Sequence, residues 1–112
     1  MGSYQPIEQG VLPKSLLHLT MGRDYNQPIQ KGVLPQNLSH LTLGDNFNQA
    51  ILPGVLPPSL LYLTLGRDYN QRIQKGVLPP GLLYFTIRTC LIYPKTYRAC
   101  RLPQRLYIVT MQ

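Results

Sequence analysis

Two histidines, His18 and His40, stand 22 residues apart. They are the side chains best able to carry protons or bind a metal near neutral pH. As catalysts they lack parts. The four acids, Glu8, Asp24, Asp45 and Asp68, are scattered, and none is spaced from a histidine so as to orient a base. No glycine loop for phosphate and no nucleophile elbow occurs, so no catalytic residue is assigned and the chain reads as a non-enzyme. As metal ligands two histidines are too few for a closed zinc site. No metal or other cofactor is expected. Cys90 and Cys100 read as reduced thiols; a disulfide between them depends on geometry and stays open. What remains for the histidines is contact with a partner, and that depends on the element carrying them.

The interval of 22 is not peculiar to the histidines. GVLP occurs at 10–13, 32–35, 54–57 and 76–79, and a fixed period of this size marks a solenoid or array. The full unit is G-V-L-P-x-x-L-x-x-L-T-L-G-x-x-(Y/F)-N-Q-x-I-x-x. Leucine-type residues recur at 16, 38, 60 and 82, at 19, 41, 63 and 85, and at 21, 43, 65 and 87. The stretch GRDYNQPIQKGVLP at 22–35 returns almost unchanged at 66–79, which suggests that a pair of units was duplicated. A fifth, altered unit is read from Leu102-Pro103 onward, through Leu106, Val109, Thr110 and Met111, at an interval of 24 residues.

Leu41-Thr42-Leu43 alternates with a period of two, so the leucines point inward and the threonine outward, as on a strand. Proline in every unit and glycine at two points of it argue against helix elsewhere. One such strand cannot bury its leucines alone. Stacked copies can, each strand pairing with the next about 4.8 Å along the axis in one parallel sheet. GVLP then reads as a corner of the coil: Gly for a turn, Leu for the core, Pro for an extended entry to the next strand.

Stacking turns each unit position into a column. Tyr25, Phe47 and Tyr69 form an aromatic column read as core. Asn26, Asn48 and Asn70 are expected to form an amide ladder that satisfies backbone groups of the turns. Asp24, Asn46, Asp68 and Cys90 share a position whose direction, in or out, stays open. The outward strand positions are His18, His40, Tyr62, Tyr84 and Ile108 in one file, and Thr20, Thr42, Thr64, Thr86 and Thr110 in the other. The exposed strand face is where extended repeat proteins usually bind. His18, His40, Tyr62, Tyr84, Thr20, Thr42, Thr64 and Thr86 are therefore the candidate partner-binding residues. Stacked histidines repel each other once both are protonated, so mild acid should weaken the patch.

The L-x-x-L-x-L core of the unit resembles the leucine-rich repeat, and the 22-residue form with (Y/F)-N-Q-x-I followed by GVLP closely resembles the FNIP repeat. The resemblance is strong over residues 4–88 and weak over 101–111. FNIP repeats abound in giant DNA viruses and social amoebae. The resemblance implies a leucine-rich-repeat-like solenoid of 22-residue coils, all-β and otherwise irregular, with one short parallel strand per coil and no long helices. It also implies a role in binding other proteins. Many members carry an N-terminal F-box that tethers the repeats to a ubiquitin ligase; with no room for one ahead of Gly10, that role is not expected here.

The bulk properties agree with one domain. The chain of 112 residues is 44% hydrophobic and 13% charged, with eleven prolines and nine glycines. That is too apolar for a disordered tail and too rich in breakers for a helical bundle. No apolar run approaches the roughly 20 residues of a membrane span. No signal pattern opens the chain, and two cysteines make no disulfide framework. An intracellular protein is expected, in the cytoplasm or, if viral, the host cytoplasm or virion. Residues 1–88 read as four repeats and 89–112 as a divergent last repeat and C-terminal cap.

Charge is uneven. Up to residue 68 four bases balance four acids; beyond it Arg72, Lys75, Arg88, Lys95, Arg98, Arg101 and Arg105 meet no acid. The second functional reading is therefore a basic, nucleic-acid-associated protein acting through residues 72–105. Finally, parallel solenoids expose a strand edge at each end. With little charge to block it, the N-terminal edge is the expected surface for self-association as a dimer.

Overall fold

The computed structural model describes residues 6–87, together with the backbone of 107–110. Five short strands, β1 (His18–Thr20), β2 (His40–Thr42), β3 (Tyr62–Leu65), β4 (Tyr84–Ile87) and β5 (Tyr107–Thr110), follow one another along the chain. They form one sheet in the order β1-β2-β3-β4-β5, and every neighbouring pair is parallel. Among the described residues there is no helix.

Each coil turns three corners, and each corner has a local cause. At the first, the Val33 amide donates to the Gln30 carbonyl at 3.3 Å, closing a four-residue turn whose third member is Gly32. Gly10, Gly32, Gly54 and Gly76 all have φ between 82 and 90°, the left-handed region that this turn requires at its third position. At the second corner the proline carbonyl is the acceptor: Leu38 donates to Pro35 at 3.2 Å and Leu60 to Pro57 at 3.1 Å. Proline thus opens a turn rather than leading straight into the strand. At the third, Tyr25 donates to Gly22 and Phe47 to Gly44, at 3.2 and 3.3 Å.

The leucine columns meet inside. Leu38, Leu60 and Leu82 are wholly enclosed, as are Leu41, Leu63 and Phe85 across the strands. Tyr25, Phe47 and Tyr69 stack in parallel behind them, with centroids 6.3 and 6.0 Å apart, so the aromatic column is core as expected. The asparagine column is the expected ladder. Asn26 Oδ1 accepts from the Asn48 amide at 2.7 Å, and Asn48 Oδ1 accepts from the Asn70 amide at 3.0 Å. Gln49 and Gln71 reinforce it, each donating to the same two oxygens of the asparagine in the coil before. Asp24 and Asp68 face outward and are exposed; Asp24 Oδ1 accepts from Asn46 Nδ2 at 3.0 Å.

A second glycine column, Gly22, Gly44 and Gly66, leaves no room for a side chain between successive coils at Gly44 and Gly66. A β-carbon on Gly44 would lie 2.5 Å from the Gly22 carbonyl oxygen, and one on Gly66 would lie 2.5 Å from the Asp45 Cα.

The last unit departs from the sequence reading. Tyr84 pairs with Tyr107, Phe85 with Ile108 and Thr86 with Val109. The expected partners of Tyr84 and Thr86 were Ile108 and Thr110, one residue later. The interval read from Leu78-Pro79 to Leu102-Pro103 therefore does not carry through to the strand. A slip of one residue exchanges which positions share a register, so Ile108 and Thr110 pair with Phe85 and Ile87 instead of Tyr84 and Thr86. Residues 89–106, including most of the expected cap and both cysteines, lie outside the described residues.

One consequence of the core is testable by a single atom. The Tyr25 and Tyr69 hydroxyls are enclosed without a hydrogen-bond partner, whereas Phe47 fills the same column with no hydroxyl at all. Burial pushes the Tyr69 phenol up to about 12, and the nearby Ile51 backbone, not in hydrogen-bonding geometry, offsets this only in part. A buried, unpaired hydroxyl costs about 1–3 kcal/mol. Tyr69→Phe is expected to raise stability by about 1 kcal/mol in chemical denaturation. The parent should lose stability from the ordinary phenol value of 10.0 upward, because only the unfolded chain releases the proton there. That alkaline loss should shrink in Tyr69→Phe.

Candidate functional site

The outward file of the sheet is a continuous stack of rings. His18 and His40 lie with centroids 4.0 Å apart, tilted by 40°. His40 stacks on Tyr62 at 4.2 Å and 13°, and Tyr62 on Tyr84 at 4.9 Å and 5°. The cause is strand pairing itself: in-register parallel strands sit about 4.8 Å apart, within reach of the centroid distances of offset-stacked rings. The four residues are register partners, His18 with His40, His40 with Tyr62 and Tyr62 with Tyr84. Two residues along each strand the threonines pair likewise, Thr20 with Thr42, Thr42 with Thr64 and Thr64 with Thr86. All eight candidate contact residues thus fall on one face. His18, Thr20 and Tyr84 are exposed, and the other five are half-buried.

His40 and Tyr62 each lie between two rings, so what they offer outward is their edges, imidazole nitrogens and a phenol hydroxyl, beside a file of threonine hydroxyls. Such a face presents polar tips on an apolar body, the kind of surface favoured at protein contacts. The rings in the middle of the file, His40 and Tyr62, leave no free face for base stacking.

Sequence reasoning missed the file just before each strand: Leu17, Ser39, Leu61 and Leu83. Leu17 is 55% exposed, and Leu61 and Leu83 are half-buried. The Leu17, Ser39 and Leu61 carbonyls take the sheet's entry bonds, as Leu17 O does from both Ser39 and His40 amides, at 2.8 and 3.0 Å. Ser39 Oγ contacts His40 Nδ1 at 2.8 Å and Leu17 O at 3.1 Å, holding the imidazole edge in place. The doubled Leu-Leu at 16–17, 60–61 and 82–83 was the available signal.

Burial pushes the His40 imidazole down, and the neighbouring His18 charge adds to this. Ser39 and Tyr62 are its other polar neighbours, and no carboxylate stands in the described file. The folded chain therefore takes up its proton at lower pH than the unfolded chain, whose histidine titrates near 6.5. This contribution to stability is present above about pH 6.5 and is lost as pH falls through the depressed value. The melting temperature should fall between about pH 7.5 and 5, and His18→Asn should flatten that slope. An unchanged slope would remove the coupling between the two rings.

Of the basic candidates, Arg72 and Lys75 are exposed. Arg88, Lys95, Arg98, Arg101 and Arg105 lie outside the described residues. Among the described residues no group of three or more His, Cys, Asp or Glu gathers to hold a metal, and no helix is long and apolar enough to cross a membrane.

Coils of constant length, in-register parallel strands, leucine columns inside and an asparagine ladder at a turn define a leucine-rich-repeat-like solenoid. The FNIP Repeat pattern matches residues 4–46, 25–68 and 47–89, and the chain belongs to that family. A solved structure, "The crystal structure of CroV588 a novel circular LRR protein structure", superposes with a TM-score of 0.80 at 40% identity. The match covers 96% of this chain and 16% of that one, so this chain spans a small part of that protein's length. Comparison with curated proteins gave no match.

Proposed function

We propose that this chain is a non-catalytic protein-interaction module that binds a protein partner on its strand face. The ring stack His18–His40–Tyr62–Tyr84 beside the threonine file is the observation that carries this reading. Family membership supports it, since leucine-rich-repeat-like solenoids generally serve as binding scaffolds. Residues 89–112 act, in this reading, as a divergent last repeat and cap.

The test is capture from the native cell extract with the parent chain and with His40→Ser/Tyr62→Ser. The double variant should lose the partner, by about tenfold or more in affinity as expected for a contact centre, while its circular dichroism stays unchanged. Binding retained by a folded double variant would move the site to another face. The nucleic-acid reading through residues 72–105 separates by salt: phosphate contacts weaken steeply between low and moderate salt, and nuclease would abolish such capture.

A further inference from the structure

We propose that His18 and His40 form an open site for a divalent transition-metal ion that prefers imidazole, zinc or copper(II), with one nitrogen of each ring as a ligand. Parallel pairing makes the two histidines register partners, so their side chains leave the same face of the sheet. Their ring centroids lie 4.0 Å apart. His18 is exposed and His40 half-buried, so an ion reaches the pair from solvent. The pair also differs from the rings that follow it in the file. His40 on Tyr62 and Tyr62 on Tyr84 lie nearly flat, at 13 and 5°, whereas the histidine planes are inclined by 40°. A ring nitrogen's lone pair lies in the plane of its ring. Parallel stacked rings aim theirs along parallel lines, and inclined planes are what two ligands need to share one ion.

Ser39 readies one of the two ligands. Its Oγ lies 3.1 Å from the Leu17 carbonyl oxygen and 2.8 Å from His40 Nδ1. A carbonyl only accepts, so the serine proton goes to Leu17 O and Oγ accepts from Nδ1–H. That tautomer leaves the lone pair of His40 on Nε2. Metal-binding histidines are held in this way, the second nitrogen donating to a neighbour that fixes tautomer and ring orientation. In the other coils the position of Ser39 belongs to Leu17, Leu61 and Leu83; serine stands there only ahead of His40.

The donors set what binds. Imidazole suits zinc, copper and nickel, whereas magnesium and calcium take oxygen ligands. Structural zinc sites use four protein ligands and catalytic ones three. Here there are two, with no carboxylate in the described file. The ion therefore keeps water at its remaining positions and exchanges with solvent, and the fold does not depend on it. The inference stands on the histidine pair and does not need the partner reading of the same face.

Zinc chloride titrated into the full chain above about pH 7, where imidazole is neutral, tests it, with proton–nitrogen correlation spectra reading the two rings. Before zinc is added, His40 should carry its proton on Nδ1. Zinc should shift both rings together and saturate at one ion per chain, and magnesium should shift neither. His18→Asn should keep the circular dichroism of the parent and abolish the His40 response at the same zinc concentrations. Ser39→Ala, apolar as that position is in the other coils, should weaken binding by about tenfold. Because the rings themselves are read, zinc held by thiols does not enter the result. Rings that stay unmoved in a large excess of zinc overturn the inference. So does a response from one ring alone, a His40 response that survives His18→Asn, or an equal response to magnesium.

Discussion

Gly66→Ala will unfold the stack or lower its melting temperature more than any other single-methyl change. The added β-carbon would sit 2.5 Å from the Asp45 Cα and closer still to the Gly44 carbonyl oxygen. Both obstacles are backbone, so no side chain can swing aside. Relief requires the third and second coils to separate. That separation would stretch the neighbouring bond from the Asp68 amide to the Asp45 carbonyl, 2.9 Å in the intact stack. Overpacking a well-filled interior costs about 1–3 kcal/mol, and this case lies at or beyond the top of that range because nothing nearby yields. At about 4–8 °C per kcal/mol for a domain of this size, a drop of more than about 12 °C is expected. Gly10→Ala is the control. Its β-carbon would meet nothing within 4 Å, and only its φ of 83° stands against it, about 1–2 kcal/mol. If the two variants melt together, the coils do not approach at Gly66 as described.

Leu63→Ala should cost about 2–5 kcal/mol, the range for emptying a buried leucine site. Leu63 is 1% exposed and stands between its register partners Leu41 and Phe85 in the middle of the sheet. Both neighbours are pinned by parallel pairing, so the site cannot collapse to fill the void. A small domain has only about 5–15 kcal/mol in total, and each coil is held chiefly by its neighbours; loss at the centre divides the array. Leu19→Ala, at the equivalent position in the half-open first coil, should cost clearly less. Urea denaturation of the two variants side by side measures the difference. Equal losses would contradict the graded burial along the stack.

Much of this could be read from residues alone because the repeat converts sequence distance into spatial adjacency. A spacing of 22 makes Leu41 a neighbour of Leu19 and Leu63 whatever the coil's shape, and the alternation Leu-Thr-Leu says which of them points inward. The aromatic column, the asparagine ladder and the eight outward residues followed from that logic. It failed where periodicity failed. Arg88 stands in the position that Gly22, Gly44 and Gly66 occupy, a column that admits no β-carbon between interior coils. The period therefore could not be extrapolated past it, and β5 joins in a register one residue from the expected one.

The sequence by itself determined the architecture and the membership of each face, since both depend only on period and alternation. Tertiary structure decided what those faces present. Only the strand spacing shows that His40 and Tyr62 spend both ring faces on their neighbours in the file and leave their edges outward. Only the backbone approach explains why two glycines recur in each unit for different reasons, one for its φ and one for the missing β-carbon. And only burial distinguishes the first coil from its copies, because Val11 and Val33 are the same residue in the same motif until a neighbouring coil covers one and leaves the other bare.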